Sequence, residues 1–174
     1  EARGYATNPH VHFELNGQGK LDVRAGVGTE GSITIVKDLG MRDMFSGQTP
    51  IVSGEIAEDI ATYFAISEQI PTVCGLGVLV NPELTVAAAG GYLIQLLPFA
   101  DEKVIDIIEN NIKSLPSVTE MLSSGVTVEE MALKVLDGLT PNVLDDFSAE
   151  YKCDCSKERV ERALISIGRD DLKE

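Results

Sequence analysis

The sequence predicts an α+β fold, a twisted and largely antiparallel sheet with a packed helix, followed by further helices, and three observations predict it. Residues 31–38 alternate, with Ile33 and Ile35 on one face and Thr34 and Val36 on the other, which is the period of a strand. Residues 72–80 and 85–97 are two extended runs on either side of Asn81-Pro82-Glu83-Leu84, the pattern of a long hairpin. After Pro98 the apolar period changes from two to 3.6 residues, and helices replace strands.

Taken in order, residues 1–6 read as a strand and Asn8-Pro9 as a turn. His10, His12 and Glu14 then alternate with Val11, Phe13 and Leu15, placing two imidazoles and a carboxylate on one face of an extended segment. That face can seat a metal, but no fourth ligand is apparent, and a solvated strand face is the commoner outcome. Residues 16–20 form a loop without the spacing of a phosphate loop, and Gly26, Gly28 and Gly31 are punctuation because no strand–helix unit surrounds them. Ser53 is the expected cap of a helix over 54–68, with Glu55, Glu58 and Asp59 near its positive end and Ile56, Ile60, Ala61 and Phe64 along one face. Pro71 ends it.

The second hairpin arm is apolar on both faces, as a centrally placed strand covered on both sides would be. Within it Gly90-Gly91 marks a bulge or a close backbone approach. Cys74, in the first arm, has apolar neighbours and reads as an inert thiol. Beyond Pro98, residues 101–115 carry Val104, Ile105, Ile108, Ile112 and Leu115 on one stripe. Ser117 with Glu120, and Thr127 with Glu130, have capping-box spacing, and Gly125 and Gly138 are suited to end the helices that follow. These apolar stripes are narrow, so the helices depend on docking for stability. Residues 141–147 connect them to the last segment.

With 174 residues and 44% hydrophobic side chains the chain can build a real core. Its 14 basic and 28 acidic residues give a formal charge of −14, which opposes non-specific binding to nucleic acid or to an anionic membrane. The longest apolar stretch, residues 86–100, is interrupted by Gly90, Gly91, Gln95 and Pro98 and is too short to span a bilayer. Three cysteines, two of them nearly adjacent, do not make a secreted disulfide framework, so a reducing cytoplasm is the expected setting. The strongly apolar strand at 85–97 needs cover from a preceding segment, a second copy or an exchanged element, and a dimer is expected.

The remaining chemistry lies in Cys153-Asp154-Cys155-Ser156. Ser156 is a favoured N-cap, Glu158 and Glu161 put negative charge in the first turns, and Val160, Ala163, Leu164 and Ile167 recur at helical spacing before Gly168. Cys155 therefore precedes a helix N-terminus, where the local positive potential and Lys152, Lys157 and Arg159 favour thiolate, the form that binds zinc and reacts with oxidants. A disulfide joining residues two apart would close a small, strained ring, which makes it oxidising and suits it to regulation.

Several blocks occur together: Ser53-Gly54-Glu55-Ile56-Ala57-Glu58-Asp59, Ser67-Glu68-Gln69-Ile70-Pro71, Gly90-Gly91-Tyr92-Leu93-Ile94-Gln95-Leu96-Leu97-Pro98 and Cys153-Asp154-Cys155-Ser156. With Asp38-Leu39-Gly40 and Leu76-Gly77-Val78 they make the chain resemble the HslO family, the redox-regulated 33 kDa chaperonins, over nearly every residue. The resemblance implies an ATP-independent holdase, not an enzyme, that binds unfolding client proteins under oxidative stress. It implies that Cys153 and Cys155 are two of four zinc thiolates, the other two coming from a later C-x-x-C pair absent from this sequence. Oxidation of the thiolates to disulfides would release zinc, unfold the preceding helical linker and favour an active homodimer. On this reading residues 1–98 are an α+β core, 99–146 a helical linker and 147–174 the start of a redox-switch zinc module, and the chain is an internal fragment. A thiol–disulfide oxidoreductase and a structural zinc module on a protein-binding domain remain as alternatives. Catalysed reduction of a disulfide would mark the first, and partner binding indifferent to peroxide the second.

Overall fold

The computed structural model describes residues 10–12, 14–17, 19–37, 39–148, 150 and 156–167. It divides into a unit of residues 1–141 and a second of residues 142–174. The expected strand at 1–6 lies outside the described residues.

In the first unit, Leu15 and Leu21 bridge antiparallel across the expected loop. A short helix α1 (Val23–Val27) follows, its start held by the Asp22 carboxylate, which accepts the Ala25 N–H at 3.0 Å. Strand β1 (Ser32–Lys37) pairs antiparallel with β2 (Phe45–Pro50). β1 was legible by alternation. β2 was not, because Phe45-Ser46-Gly47-Gln48-Thr49-Pro50 carries almost no apolar period; it is held by the β1 ladder and by Tyr63, whose hydroxyl lies where a side chain at Gly47 would go.

The helix expected at 54–68 is present in two parts. α2 (Ile56–Tyr63) is regular, and Phe64–Glu68 widens into a π-turn that ends at Gln69 in the left-handed region, φ 55°. Ser53 does not cap it. Glu55 occupies the N-cap position without a side-chain bond, because the Ser53 hydroxyl instead accepts the Glu55 N–H at 3.1 Å, and the preceding loop is organised by Asp59 one turn into the helix.

Strands β3 (Thr72–Val80) and β4 (Val86–Gln95) form the antiparallel hairpin, with Gly77 opposite Gly90 and Leu76 opposite Gly91. Of the two roles expected for Gly90-Gly91, close backbone approach is the one realised. The register irregularity falls elsewhere, between Leu79 and Val80. The described strands thus form two antiparallel pairs, β1–β2 and β3–β4, with helices packed on them, and the α+β class holds.

Three helices complete the unit: α3 (Glu102–Ser114), α4 (Val118–Ser123) and α5 (Val128–Val135). Both capping boxes form. Ser117 Oγ accepts the Glu120 N–H while the Glu120 carboxylate accepts the Ser117 N–H at 2.8 Å, and Thr127 with Glu130 repeats the pattern. Asn111 on α3 donates to the carbonyls of Val135 and Asp137, at 3.0 and 2.8 Å, satisfying C-terminal acceptors of α5. α4 packs on β3 and β4, and α5 on β4, so these helices belong to the same compact unit as the hairpin. The buried cluster lies there: Val118, Met121 and Met131, joined by Tyr92, Leu115, Leu122 and Val126. In the second unit, residues 142–148 have no regular structure and α6 (Lys157–Ile167) is a single amphipathic helix.

Candidate functional site

Cys153 and Cys155 lie outside the described residues. The helix predicted to follow them is present as α6, and its cap is the expected one: Ser156 Oγ accepts the Arg159 N–H at 3.2 Å. The Glu158 carboxyl is lowered from its ordinary range by hydrogen bonds from its own backbone N–H and from Ser156. Negative charge is therefore favoured at this helix start, the same property that would favour a thiolate just before it. The donor chemistry suits zinc, which takes thiolates readily, but two thiolates are half of a closed tetrahedral set.

Cys74 is a free, half-buried thiol in β3 opposite Leu93, and burial pushes its pKa up. That is the environment of an unreactive cysteine. His10, His12 and Glu14 gather no further ligand: among the described residues no group of three or more His, Cys, Asp or Glu side chains is placed to hold a metal ion. No helix among them is long and apolar enough to cross a membrane.

Two polar clusters escaped sequence reasoning. In the first, the Asp59 carboxylate accepts the N–H groups of Val52 (2.9 Å), Ser53 (2.8 Å) and Gly54 (3.0 Å) and the Ser53 hydroxyl (3.3 Å). Its side chain is closed off, at 2% exposure. Desolvation pushes its pKa up, but the hydrogen bonds from Ser53, Val52 and Gly54 outweigh this and hold it below the ordinary 3.8. Because the folded value is depressed, the associated stability is present above 3.8 and is lost as pH falls from there through the folded value. Urea midpoints measured from pH 6 down to pH 3 should therefore fall more for the wild type than for Asp59→Asn. Equal acid dependence in the two proteins would show that another group is responsible.

In the second cluster, Lys37 on β1 pairs with Glu68 in the π-turn and lies 5.2 Å from the centroid of the Phe64 ring. Tyr63, fully buried, meets Phe64 edge-on at 5.4 Å. Burial, then the Glu68 carboxylate, push the Tyr63 hydroxyl up, while Lys37 pulls it down. Tyr63 Oη, Thr49 Oγ1 and Glu68 Oε1 find no hydrogen-bond partner among the described residues. The cluster ties β1–β2 to the end of α2. No nucleophile and base meet there, so its chemistry is that of a structural tie.

α4 is seated on one face of the β3–β4 hairpin. The floor of that seat is glycine: a Cβ on Gly77 would stand 2.8 Å from Val118 Cγ1 and 2.9 Å from the Thr119 nitrogen, and a Cβ on Gly90 would stand 3.3 Å from Leu122 Cδ2. Tyr92 packs against the cluster of Val118, Met121 and Met131, its ring lying where a side chain at Gly75 would go. By alternation Gly75, Gly77, Gly90 and Tyr92 share this face, while Leu76, Val78 and Leu93 point the other way and are about half exposed. Sequence reasoning took Gly90-Gly91 as a bulge or a close backbone approach and assigned no role to Gly75 or Gly77. Their real signal was that three of them fall at alternate or paired positions on one face.

A family profile described as Hsp33 protein matches residues 1–174. Proteins named 33 kDa chaperonin are similar over the whole chain: one from Geobacillus sp. (strain WCH70) is 50% identical over 174 residues, and one from Clostridium tetani 48%. The chain spans 59% of the length of each. A solved structure of a 33 kDa chaperonin (heat shock protein 33 homolog) from Thermotoga maritima superposes with a TM-score of 0.80 at 38% identity, covering 98% of this chain and 58% of that one.

Proposed function

On the premise that this chain belongs to the Hsp33 family, we propose that it is the larger part of a redox-regulated, ATP-independent holdase that binds unfolding proteins and catalyses no reaction. The match of that family along all 174 residues carries the reading. The chemistry of the chain is consistent with it. A C-x-C pair before a capped helix start supplies thiols poised to ionise, whereas burial holds the Cys74 thiol back.

In the reduced protein Cys153 and Cys155 would hold zinc together with two thiolates from outside this chain. Bound zinc would occupy their nucleophilic lone pairs and shield them from oxidants. On oxidation two thiols give two electrons and two protons to a peroxide, forming one disulfide and two waters. The helices from 99 to 146 serve as the linker that responds, and residues 147–174 begin the switch module. The active form is a homodimer, and the half-exposed Leu76, Val78 and Leu93 support further polypeptide covering that face of the hairpin. The setting is the cytoplasm, and the charge of −14 argues against nucleic acid or an anionic membrane as partner.

The test uses the full-length protein and light scattering from a thermally unfolding client. Peroxide-treated protein should suppress aggregation, and the reduced, zinc-loaded protein should not. Equal suppression in both states, or none in either, would retire the reading.

A further inference from the structure

We propose that the connection between β1 and β2 is a reversible oxidation site, at which Met41 and Met44 each take one oxygen from hypochlorous acid and turn an apolar surface polar. The site is separate from the cysteine pair and needs no thiol, so it stands independently of the chaperone reading.

The chain has four methionines, and the fold divides them into two kinds. Met121 and Met131 are each 2% exposed and pack with Val118 in the buried cluster. Met41 and Met44, between β1 and β2, are 64% and 66% exposed. The space around them is open as well: Gly40 turns in the left-handed region, φ 69°, and a Cβ on it would meet no atom within 4 Å beyond its chain neighbours. Leu39 and Phe45 flank the pair and are about half exposed, so the connection presents an apolar patch in a chain of net charge −14.

A thioether has no proton to lose, so access and not pKa decides which methionine reacts. The sulfur lone pair attacks the chlorine of hypochlorous acid and displaces hydroxide; water then adds to the chlorosulfonium sulfur and chloride leaves. The sulfur gives up two electrons, one S–O bond forms, and the net release is one proton and one chloride ion. The product sulfoxide is polar, and at an exposed position it stays open to methionine sulfoxide reductases, one enzyme for each epimer. Cys74 does not compete: it is half-buried, and burial holds its thiol protonated. The fold thus offers oxidant two accessible thioethers on one patch and keeps the other two, which build the cluster beneath α4, out of reach.

The test treats full-length protein with limiting hypochlorous acid, quenches it, digests it with trypsin and reads the added oxygen by mass spectrometry. Cleavage after Lys37 and Arg42 puts Met41 and Met44 on separate peptides, while Met121 and Met131 share a third, residues 114–134. Met41 and Met44 should gain oxygen roughly tenfold faster than Met121 and Met131, and concentrated urea should bring the four rates together. Equal rates in the folded protein, or a difference that survives urea, would overturn the proposal. Cys153→Ser combined with Cys155→Ser should leave the rates at Met41 and Met44 unchanged; a slower gain would show that the oxygen arrives through the thiols. In that variant, oxidation should also shorten retention on a hydrophobic-interaction column, and adding Met41→Leu and Met44→Leu should abolish the shift. A shift that persists without the two methionines would place the change in polarity elsewhere. Treatment with both sulfoxide reductases must restore Met41 and Met44, and oxygen retained on either would remove the reversibility. None of these readouts involves client capture, so a failed chaperone assay leaves the proposal standing.

Discussion

Replacing Asp59 with alanine is expected to cost about 3–5 kcal/mol, because it strands several polar groups at once and buried donors left unpaired cost about 1–3 kcal/mol each. The N–H groups of Val52, Ser53 and Gly54 all converge on this one carboxylate. Gly54 stays in the left-handed region, φ 79°, where a Cβ would stand 2.9 Å from the Gly28 carbonyl, so the loop cannot easily turn its amides elsewhere. Asp59→Asn should cost less, since its one amide oxygen still accepts while its NH2 faces a donor. Against a total stability of about 5–15 kcal/mol the alanine loss is large. Urea denaturation at pH 7 measures it, and a loss below about 1 kcal/mol, the scale of one ordinary hydrogen bond, would show that water replaces the carboxylate freely.

The second large effect concerns the cysteines. In full-length protein, Cys153→Ser combined with Cys155→Ser is expected to bring the ratio of client capture after and before peroxide to one, while Cys74→Ser leaves that ratio at its wild-type value. The warrant is the contrast between a pair preceding the N-terminus of α6 and a thiol in β3 whose pKa burial has raised. Mass-spectrometric thiol trapping during peroxide treatment gives an independent reading. Modification of Cys74 ahead of the pair, or a double variant that still switches, would remove the role assigned to the pair.

What the sequence made legible was whatever is encoded within a few residues. The capping boxes at Ser117 and Thr127 could be read because donor and acceptor lie three residues apart, and the hairpin because its turn and its alternation are local. β2 was missed because its stability comes from β1 and from Tyr63, thirteen or more residues away from Pro50 in the chain. Ser53 was taken for a cap on residue type, but the Asp59 carboxylate, which carries full charge and reaches three amides, is the stronger acceptor for the same loop. The α4 seat was invisible for a related reason. A glycine announces only freedom of backbone, and what fills the space it leaves depends on a helix some forty residues further on.

The capping boxes also set a clock. α4 and α5 each carry the contacts that start them within their own first turn, so their nucleation is local and takes about a microsecond, while docking on the hairpin supplies the stability that keeps them. Thiol–disulfide exchange takes seconds to hours. Helix initiation in this part of the chain is therefore far faster than any thiol chemistry that would be coupled to it.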